Sequence, residues 1–110
     1  MKKLSVVVDC PIDTTINVVK GKCKAEVILK INEGLNRFGL LKKEITISTK
    51  LLAIQLNELE EDGIVVKQKN DNNPLETSYQ LTADGSKLCN IIQEIKKWGT
   101  DYKLFKQINT

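Results

Sequence analysis

The sequence predicts a mostly helical α+β fold in a single domain, and three observations carry that prediction. Helical runs are punctuated by Gly21, Gly34 and Gly63. Two short strand-like runs, Ile64 to Lys69 and Thr77 to Leu81, flank the turn-rich stretch Asn70-Asp71-Asn72-Asn73-Pro74. A long run with helical apolar spacing follows Thr82 and closes the chain.

The elements follow in order. Cys10-Pro11 opens a first helix, because proline suits the first helical position; Ile12, Ile16 and Val19 form its apolar side and Gly21 closes it. A second helix is expected from about Lys22 to Asn32, carrying Ala25, Val27, Ile28, Leu29 and Ile31, with Gly34 as its stop. Asn36-Arg37-Phe38 leads into a short third helix through Leu40, Leu41 and Ile45, and Thr46-Ile47-Ser48 is a turn.

The stretch from Ile47 to Val65 is the most informative. Ser48 is a natural N-cap, since its hydroxyl can accept a hydrogen bond from a first-turn amide. Leu52, Leu56 and Leu59 define a buried stripe, and Gly63 ends the helix in the left-handed conformation that glycine adopts freely. Opposite the stripe, Thr49, Lys50, Ala53 and Asn57 are small, polar or basic. Glu58, Glu60, Glu61 and Asp62 crowd the far end. A helix dipole favours acids in the first turn. A helix that keeps them at the other end is suited to meet an anion, and DNA is the obvious one.

After the two strands, Thr82 caps a final helix with Leu88, Ile91, Ile92, Ile95 and Trp98 on its apolar side, continuing past Gly99 through Tyr102 and Phe105. Helices, a short turn into an outward-facing helix and a hairpin with a polar tip together describe a winged helix-turn-helix. In that geometry the recognition helix enters the major groove. The hairpin, or wing, lies on the phosphate backbone or in the adjacent minor groove.

Composition narrows the function. The chain has 110 residues, 41% apolar and 28% charged, which suits one soluble domain and is too small for a multi-domain enzyme. A net charge of +3 is modest, so its distribution matters more than its sum. No run is long enough to span a bilayer, and Met1-Lys2-Lys3 is not followed by a signal-peptide core. Three cysteines without paired spacing suit a reducing cytoplasm, and no cofactor is implied. The absence of histidine excludes histidine-based triads and common zinc sites. No enzyme is expected.

The residues resemble the HxlR-type bacterial transcriptional regulators over nearly the whole length. The resemblance is carried by Cys10-Pro11, Gly21-Lys22, Arg37-Phe38, Ile47-Ser48-Thr49-Lys50 and the run Gln55-Leu56-Asn57-Glu58-Leu59-Glu60-Glu61-Asp62-Gly63-Ile64-Val65. It continues through Pro74, Tyr79-Gln80-Leu81-Thr82 with Gly85, and Trp98-Gly99. It implies a small dimeric DNA-binding protein that regulates nearby genes, some members responding to electrophiles or oxidants through the N-terminal cysteine. Two departures stand out. Cys23 replaces the tryptophan usual after Gly-Lys, and the wing reads Glu76-Thr77-Ser78-Tyr79 where an Arg usually precedes Val-Glu-Tyr. An acid there would repel phosphate and shift backbone contact to Lys67 and Lys69.

Each candidate residue carries a plain reading beside the functional one. Ser48, Thr49 and Lys50 are either a solvated helix start or a DNA contact, and their place at a recognition-helix N-terminus favours contact. Arg37 either meets DNA or pairs with Glu33 or Glu44. Gln55, on the flank of the stripe, bonds to a base or to protein. Lys42 and Lys43 supply generic backbone charge. Cys10, at or next to an N-cap, is either a sensor thiol activated by the helix dipole or a small buried hydrophobe. Asp9 and Asp13 oppose activation, whereas Lys2 and Lys3 would help if folded nearby. Cys23 and Cys89 fall within helices and read as core.

The final helix has more apolar residues than a small core needs. Ile91, Ile95, Trp98, Tyr102 and Phe105, with Ile12 and Ile16 of the first helix, are expected to build a two-fold dimer whose recognition helices reach successive major grooves of a palindromic operator. Residues of about 10–82 would then form the DNA-binding core and about 83–110 the dimerisation helix. The competing expectation is a winged helix used for protein contact without DNA.

Overall fold

The computed structural model describes residues 6–21 and 23–109. Lys2, Lys3 and Lys22 lie outside the described residues. Helices α1 (Pro11–Val19), α2 (Lys24–Asn32), α3 (Phe38–Glu44) and α4 (Thr49–Glu61) precede strands β1 (Val65–Gln68) and β2 (Ser78–Leu81), and α5 (Ala83–Ile108) closes the chain. The architecture is the predicted winged helix-turn-helix: mostly helical, with a two-stranded antiparallel sheet.

One core serves all elements except α1. It joins Val27, Ile28 and Ile31 of α2, Leu41 of α3, Leu52, Leu56 and Leu59 of α4, Val65 and Tyr79 of the sheet, and Leu88, Cys89 and Ile92 of α5. Each fully buried leucine contributes roughly 2 kcal/mol of apolar burial. Helix α1 buries no residue of its own, and reaches the core only through the half-buried Val18 and Val19.

Cys23 departs from the expectation that it lies within a helix. It is the N-cap of α2 in the left-handed conformation, φ +70°, and is half-buried against the core. That backbone cannot continue a right-handed helix, so α2 starts at Lys24 rather than at residue 22. Cys89 lies inside α5 in the core, as expected.

The strands are each shorter than predicted: β1 omits Ile64 and Lys69, and β2 omits Thr77. Ile64 does not pair in the ladder. Its carbonyl accepts instead from the Thr82 amide at 3.0 Å, fixing the chain where the wing returns to α5. The ladder pairs Val65 with Leu81 and Lys67 with Tyr79. The root of the wing gains a further edge that the sequence does not announce. The Tyr79 amide donates to the Asn36 carbonyl at 2.8 Å, the Phe38 amide donates to the Thr77 carbonyl at 3.0 Å, and Arg37 bridges to Ser78. The start of α3 is thereby hydrogen-bonded directly to the wing. At the tip, the Asn70 side chain accepts from the Asn72 and Asn73 amides, and a single 3-10 turn spans Pro74–Glu76.

Thr82 caps α5 by accepting from the Gly85 amide at 3.0 Å. The helix then runs unbroken through Gly99 for 26 residues, about 39 Å at the usual rise. It projects from a molecule whose longest extent is 54 Å. Among the described residues, no helix is long and apolar enough to cross a membrane.

Candidate nucleic-acid interface

The turn between α3 and α4 is held from both sides. The Ile47 amide donates to the Ile45 carbonyl at 3.0 Å, and Lys42 Nζ donates to the Ile47 carbonyl at 3.1 Å. Lys42 thus braces the turn. Ser48 then caps α4, its hydroxyl accepting from the Leu51 amide at 3.0 Å. Ser48, Thr49 and Lys50 are all exposed at this capped end.

Helical rotation of about 100° per residue sorts the rest of α4. Leu52, Gln55, Leu56 and Leu59 turn inward. Lys50, Ile54 and Asn57 are exposed along the opposite line, with Ala53 half-buried beside it and Glu60 and Glu61 exposed at the far end. Ile54 was not singled out from the sequence because an isolated apolar residue reads as core. Its position four residues after Lys50, and off the leucine stripe, is the signal that would have found it. An exposed isoleucine there is suited to apolar contact with a thymine methyl group.

Gln55, expected on the flank of the stripe to bond either a base or protein, is buried toward the protein. It is only 6% exposed, and its Oε1 has no hydrogen-bond partner among the described residues. Its rotation places it just beyond Leu59 at the edge of the leucine stripe, turned toward protein rather than toward the outer line.

Arg37 is exposed at the N-cap of α3, and its partner is neither Glu33 nor Glu44. Its Nη1 lies 3.3 Å from Glu76 Oε2. The wing acid that departs from the family pattern is therefore answered by Arg37 across the wing root. Both groups are about half-exposed, so the pair adds at most roughly 1 kcal/mol. Lys67 stands 4.0 Å from Glu60, and Lys69 stands 3.9 Å from Asp71. The wing thus carries its cations beside acids. Lys43, exposed in the last turn of α3, stands on the same helix-turn-helix unit.

The cysteines separate by burial. Cys10 is exposed at the N-cap of α1, Cys23 is half-buried and Cys89 is buried. Burial pushes the Cys89 thiol above its usual range, and Glu33 adds to the shift.

Every residue expected at a subunit interface is exposed on the described chain: Ile12 and Ile16 on α1, and Ile91, Ile95, Trp98, Tyr102 and Phe105 on α5. The α5 residues recur at alternating spacings of four and three, so they form one stripe. Leu88, seven residues before Ile95, lies at the edge of that stripe and is buried, while Cys89 and Ile92 turn into the core on its flank. Trp98 stacks on Tyr102 with ring centroids 5.0 Å apart, and Tyr102 stacks on Phe105 at 6.4 Å.

Residues 18–107 match the family model of the HxlR-like helix-turn-helix proteins. The chain belongs to the HxlR family. It is 34% identical over 95 residues to the HTH-type transcriptional regulator YdeP of Bacillus subtilis, covering 86% of this chain and 74% of YdeP. Among solved structures, the redox regulator HypR in its reduced form is similar with a TM-score of 0.77 and 32% identity, over 86% of this chain and 94% of that one. The reduced form of the transcriptional regulator YodB from B. subtilis is similar with a TM-score of 0.59 and 30% identity, over 83% of this chain and 91% of YodB. YdeP and YodB are transcriptional regulators rather than enzymes, and HypR is a redox regulator.

Proposed function

We propose that this HxlR-family chain is a cytoplasmic, sequence-specific DNA-binding regulator that acts as a homodimer. The observation that carries the reading is the polarity of α4. Its capped end offers Ser48, Thr49 and Lys50 to solvent, while Glu60 and Glu61 stand at the opposite end. Lys50, Ile54 and Asn57 make the outer line that enters the major groove, where they supply a cation, an apolar surface and an amide for base edges. Arg37, Lys43, Lys67 and Lys69 supply backbone contacts, with the wing cations partly offset by their acids. Residues 10–82 read DNA, and residues 83–110 join two copies through the α5 stripe with α1. A two-fold dimer of this kind reads a palindromic operator.

The test is a fluorescence-anisotropy titration with DNA flanking the chain's own gene, repeated between about 50 and 200 mM salt. Binding should weaken steeply with salt, and Lys50→Ala should lower both the affinity and the salt slope, the latter by about one if Lys50 meets a phosphate. Absence of binding at low salt would sink the reading. The competing use, a winged helix for protein contact, takes its support from the paired charges of the wing.

Cys10 is proposed as an oxidant- or electrophile-responsive thiol. It is exposed at the N-cap of α1, where an oxidant or a second thiol can reach it. The similar structures HypR and YodB were solved in reduced forms, and HypR is a redox regulator. Diamide should change DNA binding of the wild type by oxidising two Cys10 thiols of a dimer to a disulfide, the diamide taking up both hydrogens. Cys10→Ser should be insensitive. An equal diamide response in that variant removes Cys10 from the mechanism.

A further inference from the structure

The inner face of α4 is built mostly from leucines, and its flank carries one charged contact at the half-buried Glu58. Lys24 is only 3% exposed, and its Nζ lies 2.6 Å from Glu58 Oε1 on α4. Lys24 occupies the first turn of α2, where the helix dipole disfavours a cation. It is also withdrawn from water, which disfavours any charge. Neither helix formation nor solvation explains this ammonium; Glu58 is its compensation.

A second polar group stands beside it. Gln55, three residues before Glu58 and so on the neighbouring turn of α4, is buried with its Oε1 unpartnered among the described residues. Both side chains close on Gly21, in the link from α1 to α2. A Cβ at Gly21 would stand 3.0 Å from Gln55 Oε1 and 3.3 Å from Lys24 Cδ. Gly21 adopts φ +127°, so the link passes close to α4 where a side chain would obstruct it. Gly21, Lys24 and the Gln55–Glu58 turn of α4 therefore come together in one cluster beside the recognition helix, buried at Lys24 and Gln55 and about one-third exposed at Glu58.

Directionality gives this contact its consequence. Leucine packing is non-directional and tolerates a small roll of a helix. An ion pair with one short hydrogen bond does not. A roll of about 20° on a helix of about 5 Å radius moves an outer side-chain tip by close to 2 Å, enough to break a hydrogen bond to a base. We propose that Lys24 is a positioning residue for DNA reading. Through Glu58 it sets the rotation of α4, and with it the registration of Lys50, Ile54 and Asn57 on base edges. The inference rests on the reading of α4 as the recognition helix.

The pair is best removed as a unit. Lys24→Met alone leaves Glu58 without its partner and should destabilise the fold. Lys24→Met with Glu58→Met replaces both by apolar chains of similar length, and buried pairs replaced in this way commonly keep or gain stability. The double variant should melt close to wild type. Its affinity for a specific duplex should nevertheless fall at least about tenfold, the equivalent of one good base contact. Affinity for random duplex and the salt slope should not change, because the phosphate contacts remain. Backbone amides of α4 should exchange hydrogen faster in the free protein.

A stable double variant with wild-type discrimination and wild-type exchange overturns the proposal. If the double variant melts well below wild type, Glu58→Gln is set against Glu58→Ala. The glutamine keeps an acceptor for Lys24 and should keep discrimination, whereas the alanine should lose it; equal behaviour of the two overturns the proposal. Wild-type protein that binds no DNA would refute the reading of α4. The exchange comparison, which needs no DNA, would still decide whether the pair positions the helix.

Discussion

Ile95→Glu combined with Trp98→Glu should yield a folded monomer that no longer holds its operator. Ile95 is 57% exposed and Trp98 67% exposed on the described chain, so neither is needed for the core of its own protomer. They are the centre of a stripe that runs from Ile91 to Phe105 and includes the stacked Trp98 and Tyr102. Large aromatic anchors at the middle of an interface cost about 2–4 kcal/mol each when truncated. Carboxylates facing one another across a two-fold axis add repulsion. The dimer dissociation constant should rise by about a thousandfold or more, read by sedimentation equilibrium. The melting transition of the protomer should remain cooperative. A variant that sediments as a dimer would place the interface on another face.

Gly85→Ala should have the largest effect on the fold itself. Gly85 is buried in the first turn of α5, and a Cβ there would overlap the carbonyl oxygen of Ile64. That oxygen is held in place by the Thr82 amide, so two backbones would have to separate. The expected cost is about 3 kcal/mol, a fall in melting temperature on the order of 10 °C. The sign is informative, because glycine to alanine inside a helix is ordinarily favourable by up to about 1 kcal/mol. Gly99→Ala in the same helix meets nothing within 4 Å and should be stabilising. Both are best compared in the monomeric background, where dimer dissociation does not enter. A stabilising Gly85→Ala would contradict the packing of α5 against the wing return.

What was legible in the sequence was local. Ser48 as cap and Gly63 as stop both stand where expected, because a cap uses an amide three residues away and a glycine stop uses its own backbone. The leucine stripe of α4 was legible for the same reason, since helical periodicity needs no knowledge of the neighbour. What escaped depends on long-range partners. Arg37 meets Glu76 rather than Glu33 or Glu44, because the start of α3 lies along β2. A lysine reads as surface, so the burial of Lys24 against Glu58 left no mark in the pattern. Gln55 sat at the edge of the stripe, where the choice between inner and outer face is made by Gly21 and α2 rather than by α4 itself. Cys23 was assigned to a helix interior because its left-handed backbone has no sequence signature in a residue other than glycine, asparagine or aspartate.

These residues bear on one central claim, that two copies of this chain read DNA through the first turns of α4. Selection from a random pool of short duplexes by the purified protein, followed by anisotropy on the enriched sequence, tests it most directly. The expected result is a two-fold symmetric site with half-site centres about one helical turn, or a multiple of it, apart. It should be bound by one dimer with an affinity that falls as salt rises. No enrichment over the starting pool at low salt, or an asymmetric site bound by a single protomer, would contradict it.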